Sequence, residues 1–456
     1  MSLLEKNPEF KKNIWLEIST QRLIMMPLII LMVVLLASLS TMGDTYNKLT
    51  NICYFGLVII LLLWGSKVAF SNIIQEYNDR TWDWQRMSIL TPKQLMVGKL
   101  IGAPIYNWYG ALICLFLFFI FGSMSEETSL FDLLINSIST LLLGVSILCV
   151  SILFALLKIR AGNGRDKLKS GQLFILLILF ALFFNSSAFS FMFNRISFNP
   201  IKFDAWKILG ENLFYAIWAI IGLHQVLRKE LNYKNKSYLW ILFLITSALV
   251  KTMVMVDSIG VFIDNYFFIY FVVLSIQAIS LFYLLLLIEQ NELSTLKILV
   301  RKIKEKNYTY INYNAPLWSL TFPFIIIGLI FSWILLDKQI INNDSYILNH
   351  FVNTIKLENT LDSLQSLSII LGILCFVLRD FLIMLFLQTT SKKKRIGAAF
   401  ILYLFLLYVV FPGFTSTIGS SIGLQLFIPL PIVGSFFYPI FECVVIFLII
   451  RNKFKK

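Results

Sequence analysis

Apolar runs recur along the whole chain, separated by short polar segments. Twelve read as membrane spans, at approximately 23–41, 53–73, 99–122, 132–157, 172–193, 208–227, 238–256, 261–288, 317–336, 366–389, 396–411 and 433–450. No interval between them holds a soluble domain of ordinary size. The pattern predicts an all-α, polytopic integral membrane protein of about 12 transmembrane helices, arranged as two six-span units over 23–228 and 229–456. Residues 1–22 precede the first span as a polar tail.

The longest structured polar stretch is IIQEYNDRTWDWQRMSILTPKQLMVGK, residues 73–99. At helical spacing Tyr77, Thr81, Trp84 and Met87 share one stripe, and Glu76, Asp79, Arg80, Asp83 and Arg86 another. Glu76 is spaced to pair with Arg80, and Asp83 with Arg86. Thr91, Pro92 and Gln94 spell an N-cap, a first helical residue and the returning partner of a capping box. The expected result is a short amphipathic helix over 74–90, ending near Leu90, and a new helix from Pro92. Its mixture of acids, bases and Trp suits docking onto another protein. A helix resting on lipid, the second reading, favours Lys and Arg on its polar face.

Composition and charge sharpen this picture. The chain is 58% hydrophobic and 14% charged, outside the range of soluble proteins. A net charge of +14 could suggest nucleic acid, but its placement is topological. One set of alternate loops holds only Lys48, Arg195, Lys202, Lys207, Lys338 and Lys356. Lys67, Lys251 and Arg379 fall inside spans. All other basic residues lie in the opposite loops and both tails. The positive-inside rule then puts both termini and the 73–99 stretch in the cytoplasm, with no nucleic-acid partner needed.

Asn7-Pro8 reads as a cap and first helical residue, and Phe10, Ile14 and Ile18 repeat at four. This predicts an N-terminal helix in the membrane interface; a plain basic tail is the alternative. A similar stripe over 293–303 suggests contact with an anionic leaflet. Cys53, Cys114, Cys149, Cys375 and Cys443 lie in or beside apolar runs without metal-ligand spacing and read as small hydrophobes. His350 is a lone histidine in an outer loop. No P-loop occurs, so ATP is not bound by this chain in that way, and no cofactor or catalytic residue is indicated. The stretch 411–433, uncharged and broken by Pro412, Gly413, Pro429 and Pro431, suits a re-entrant hairpin.

Ionisable groups within spans each need an account. Lys67 can snorkel and Lys251 lies near a span end. Arg379 and Asp380 lie deep, or else end the tenth span early, leaving 381–390 as an interfacial helix. Glu442 either lies on an internal face, paired with a base or lining a route, or makes a helix-packing hydrogen bond.

Residues 51–110 resemble permease subunits of type-2 ABC exporters. That family carries, between its second and third spans, an acidic residue, a Thr-x-acid triplet, a Leu-x-Pro step and a Gly-Lys pair. The matching residues are Glu76, Thr81-Trp82-Asp83, Leu90-Thr91-Pro92 and Gly98-Lys99. The chain departs at Trp82, where a small aliphatic residue is usual, and at Arg80, where Gly is usual. The resemblance implies that the stretch is a coupling helix contacting a separate ATPase subunit through Glu76, Asp79, Arg80, Thr81, Trp82, Asp83 and Arg86. The N-terminal helix and the 411–433 hairpin have counterparts in the same family.

The leading expectation is therefore a permease of the bacterial inner membrane, moving a lipid-like or amphipathic substrate outward. Membrane lipids and the ATPase are its partners. Either one chain supplies both halves of the pore or two chains pair as a homodimer. A secondary transporter of two six-helix halves is the alternative. A membrane transferase acting on a lipid-linked sugar comes third, because the outer loops offer only Arg195, Lys202 and Lys207 close together.

Overall fold

The computed structural model describes residues 7–40, 45–125, 129–161, 205–231, 233, 238–259, 266–288, 298, 301–307, 315–341, 363–390, 396–412, 414 and 437–455. Among them there are helices and short links and no strand. Among the described residues seven helices are long and apolar enough to cross a membrane, the mark of a multi-pass helical membrane protein. The span expected at 172–193, loop 162–171, most of 289–316, His350 and most of the 411–433 hairpin lie outside the described residues.

The chain separates into two compact units, Met1–Lys236 and Ser237–Lys456. In the first, the crossing-length segments are Thr20–Leu39, Tyr46–Asn78, Ile105–Ser123 and Leu130–Ile159. The helix Ala205–Glu230 packs along Leu130–Ala161, and Asn212 Nδ2 donates to Ser139 Oγ at 2.6 Å. It carries Glu211, Asn212, His224 and Gln225 and is not one of the seven. Tyr46–Asn78, 33 residues, is about 50 Å long. That exceeds the roughly 30 Å of bilayer hydrocarbon, so one end must project. A π-helical turn at Ile59–Gly65 interrupts it, and Asn107 Nδ2 donates to the Ile60 carbonyl at 3.1 Å. At Gly110 an added Cβ would strike Met26, and at Gly144 Leu61, so small residues set these close helix contacts.

In the second unit the crossing-length segments are Tyr266–Leu287, Leu317–Leu335 and Leu367–Leu387. The expected spans at 238–256 and 396–411 are present as shorter apolar helices, Tyr238–Val254 and Ala399–Val410. The last helix, Phe437–Lys455, includes Glu442, Arg451 and Lys453 and is also outside the seven. The core joins Phe282, Leu285, Trp318, Ile325, Leu329 and Val377. Gly328 lies against Ser275, where a Cβ would come within 3.0 Å of the serine Cβ. Inside the bundle Gln277 Nε2 donates to Ser247 Oγ at 2.8 Å.

Candidate functional site

The 73–99 stretch is not one helix. Ser66–Asn78 continues the preceding span and ends in a left-handed cap: Asp79 N donates to Gln75 O at 2.8 Å, and Arg80 N to Tyr77 O at 3.1 Å. Arg80 takes φ 60°, a conformation that glycine adopts without steric cost. Thr81 Oγ1 donates to the Glu76 carbonyl at 3.1 Å and completes the break. A separate helix, Thr81–Met87, follows. It ends at Met87 rather than near Leu90, because Ser88 is already extended. The next helix starts as expected: Thr91 Oγ1 accepts from Gln94 N at 3.3 Å and Gln94 Oε1 accepts from Thr91 N at 3.0 Å.

The break rotates the short helix relative to a continuous one. Trp82, only 1% exposed, is its inward anchor, with Gln85 beside it. Trp84 is 77% exposed, and Met87 and Ile89 are exposed with it. The stripe through Tyr77, Thr81, Trp84 and Met87 is therefore not the buried face. Trp82 Nε1 and Gln85 Oε1 are buried without hydrogen-bond partners. Asp79, Arg80, Thr81, Asp83 and Arg86 are exposed. Arg86 Nη1 lies 3.8 Å from Asp83 Oδ1, the expected pair. Arg86 Nε also donates to the Glu230 carbonyl at 3.2 Å, tying the short helix to the C-terminal end of Ala205–Glu230.

Glu76 does not pair with Arg80. It turns inward to Lys99, whose Nζ contacts Glu76 Oε2, Glu9 Oε1 at 2.7 Å and Asn72 Oδ1 at 3.3 Å. Lys12 Nζ bridges back to Glu76 Oε1 at 2.8 Å and Glu9 Oε1 at 3.5 Å. Two acids and two bases thus balance. Burial lowers the Lys12 pKa, but the Glu76 and Glu9 carboxylates outweigh it and hold it above the usual lysine value.

Glu9 and Lys12 come from the N-terminal helix Pro8–Glu17, which shows that the 1–22 tail contains the expected helix. Asn7 caps it, accepting from Glu9 N at 3.1 Å. The Asn7 and Asn13 amides donate to Gln94 O at 2.7 Å and Gly98 O at 3.0 Å. The buried face is therefore polar, Asn7, Glu9 and Asn13, while Trp15 and Leu16 face outward. Close approach requires glycine: a Cβ on Gly98 would lie 2.8 Å from Glu9 Cγ, and one on Gly102 3.1 Å from Asn13 Cβ. The turn between them, Gly98–Gly102, is π-helical. Glu9, Lys12 and Asn13 were not among the candidates read from sequence. The i,i+4 polar pair Glu9 and Asn13 was the available signal.

The second unit holds a second cluster. The helix Ser363–Thr390 runs unbroken through Arg379 and Asp380, so these residues do not end the tenth span early. Arg379 is 1% exposed and Asp380 fully buried. Asp380 accepts from Arg379 Nε at 3.2 Å, Tyr403 at 3.2 Å, Tyr283 at 2.7 Å and Tyr408 at 2.6 Å. Arg379 Nη1 donates to Glu442 Oε2 at 2.9 Å and Nη2 to Tyr408 at 3.1 Å. The guanidinium also sits over the Phe376 ring, 4.5 Å from its centre. Tyr408 lies in a π-helical turn, Leu406–Val410. In a regular α-helix residues five apart diverge by roughly 140°; the wider π turn helps bring Tyr403 and Tyr408 to one carboxylate. Lys67 is exposed and Lys251 half-buried.

No family model matches the chain, and no curated protein or solved structure matches it.

Proposed function

We propose that this chain is the membrane-spanning permease of an ATP-driven ABC exporter, energised by a separate ATPase subunit. The observation that carries the reading is the short helix Thr81–Met87. It presents Trp84, Met87 and the charges of Asp79, Arg80 and Asp83 outward. The ion cluster of Glu9, Lys12, Glu76 and Lys99 braces the helix ends beside it. A short helix on a stiff mount, with an exposed aromatic and both charge signs, is suited to transmitting movement from a docked partner. Glu76 and Trp82 serve the mount in this reading, and Asp79, Arg80, Thr81, Asp83 and Arg86 the docking face. Asp83 belongs to the Thr81-Trp82-Asp83 triplet that resembles the exporter family.

The reading includes about 12 spans, a bacterial inner-membrane location and cytoplasmic termini, supported by the distribution of Lys and Arg. The cargo is lipid-like or amphipathic, in keeping with the apolar, aromatic-rich spans. The second reading, a secondary transporter, is favoured by one observation, the charges of Arg379, Asp380 and Glu442 within the second unit.

The test is Asp83→Arg. The side chain is exposed, so insertion and thermal stability should be unchanged. A like-charge contact in a docked interface can cost several kcal/mol, so retention of the ATPase during purification in mild detergent should be lost. Trp84→Ala should weaken the same retention without lowering stability, since Trp84 is exposed. An Asp83→Arg protein that retains the ATPase and transports normally moves the secondary transporter to first place.

A further inference from the structure

The charges in the second cluster do not balance. Among the described residues, one guanidinium, Arg379, faces two carboxylates, Asp380 and Glu442. Asp380 receives four hydrogen bonds, one from the arginine and three from tyrosine hydroxyls. Protonating it would turn one of its oxygens from acceptor to donor and displace a partner. Asp380 is therefore the ionised counter-charge of Arg379. Among the described residues Glu442 receives one hydrogen bond, at Oε2, and none at Oε1. Its side chain is 36% exposed, on a helix whose outward residues include Phe441, Val444 and Val445. An ionised Glu442 is thus a surplus negative charge among apolar side chains. Such a charge is costly and tends to be removed by proton uptake.

We propose that Glu442 is a reversible proton-binding site within the helix bundle. A proton adds to the open Oε1 and gives a neutral carboxylic acid; no existing hydrogen bond has to break. The ion pair with Arg379 then becomes a weaker neutral contact. That contact, with Cys443 Sγ on the Cys375 carbonyl at 3.5 Å, links Phe437–Lys455 to Ser363–Thr390. Proton uptake therefore loosens the last helix from its neighbour. The titratable groups around Glu442 are Arg379, Asp380 and Cys375 on Ser363–Thr390, and Tyr403 and Tyr408 on the helix and π turn from Ile396 to Val410. Tyr283 on Tyr266–Ile288 and Cys443 on its own helix complete them. Among the described residues only Arg379 is cationic, and Asp380 and Tyr408 also accept hydrogen bonds from it. The inference uses the second unit alone, so its outcome is independent of ATPase docking.

Dicyclohexylcarbodiimide, which attacks protonated carboxyls in apolar surroundings, tests the proposal on the intact protein in lipid nanodiscs. Labelled peptides are identified by mass spectrometry across a pH series. Glu442 should be labelled and Asp380 not. The labelling should fall with rising pH. Glu442→Gln should abolish it. Absence of label at Glu442 at every pH, labelling that does not change with pH, or label at Asp380 instead would overturn the proposal. Protection by sodium or by a long-chain amine at fixed pH would also overturn it, by assigning the site to another cation. Because the wild-type protein carries the readout, poor folding of a variant does not obscure the result.

Discussion

The two charge clusters resemble each other in parts and differ in balance. Glu9, Lys12, Glu76 and Lys99 pair two acids with two bases. Arg379, Asp380 and Glu442 set two acids against one base. In the first, lysine ammonium groups act as point charges between carboxylates, and neighbouring asparagines bond backbone carbonyls. In the second, a planar guanidinium is shared between two carboxylates, a tyrosine hydroxyl and an aromatic face. Each lies beside a π-helical turn. A balanced buried cluster has nothing to gain from a proton and is suited to fixing helices together. An unbalanced one holds a charge whose removal relieves the site, and so is suited to changing state. The difference separates a brace from a switch although residue types overlap.

The largest expected effect breaks the brace. Lys99→Met removes the buried one of the two cations that Glu9 and Glu76 share, and losing one partner of such a group costs about 3–5 kcal/mol. Thermal unfolding in detergent should show a large fall. Glu442→Gln in the same assay should change stability by less than about 1 kcal/mol, since it removes surplus charge and keeps the amide oxygen for Arg379. Equal losses in both variants would make the second cluster a brace as well.

A smaller effect sharpens the contrast at two glycines that look alike in sequence. Ile101-Gly102-Ala103 and Ile396-Gly397-Ala398 repeat one tripeptide. Among the described residues nothing lies within 4 Å of a Cβ added at Gly397, whereas the Gly98 to Gly102 turn is packed against the N-terminal helix. Gly102→Ala, whose Cβ would lie 3.1 Å from Asn13 Cβ, should cost about 1–3 kcal/mol by overpacking. Gly397→Ala should be neutral or stabilising by up to about 1 kcal/mol, through better helix propensity. Matched melting curves decide it, and equal losses would show that the repeated tripeptide marks equivalent packing.

The smallest effect concerns the hinge beside the brace. Arg80 holds a left-handed conformation at φ 60°. Arg80→Gly should raise stability by up to about 1 kcal/mol, because glycine adopts that region without the Cβ clash. A measurable loss of stability would mean that the arginine side chain itself holds the break.

The spans and caps were legible in the sequence for a local reason. A run of apolar residues needs no distant partner to favour a helix in lipid, since its backbone bonds to itself. The Asn7 and Thr91 caps close within three residues of themselves. The break at Asp79 and Arg80 is less visible, because arginine does not signal a left-handed position as glycine does. Helical phase groups Trp84 with Tyr77, Thr81 and Met87, and tertiary structure buries Trp82 instead. Glu76 had a plausible local partner in Arg80 but pairs with Lys99, 23 residues on, and Lys12, 64 residues back. Glu442 finds Arg379 across 63 residues. Periodicity determines which residues share a face of one helix. Which faces meet, and hence whether a buried charge is balanced or in surplus, depends on packing between helices far apart in the chain.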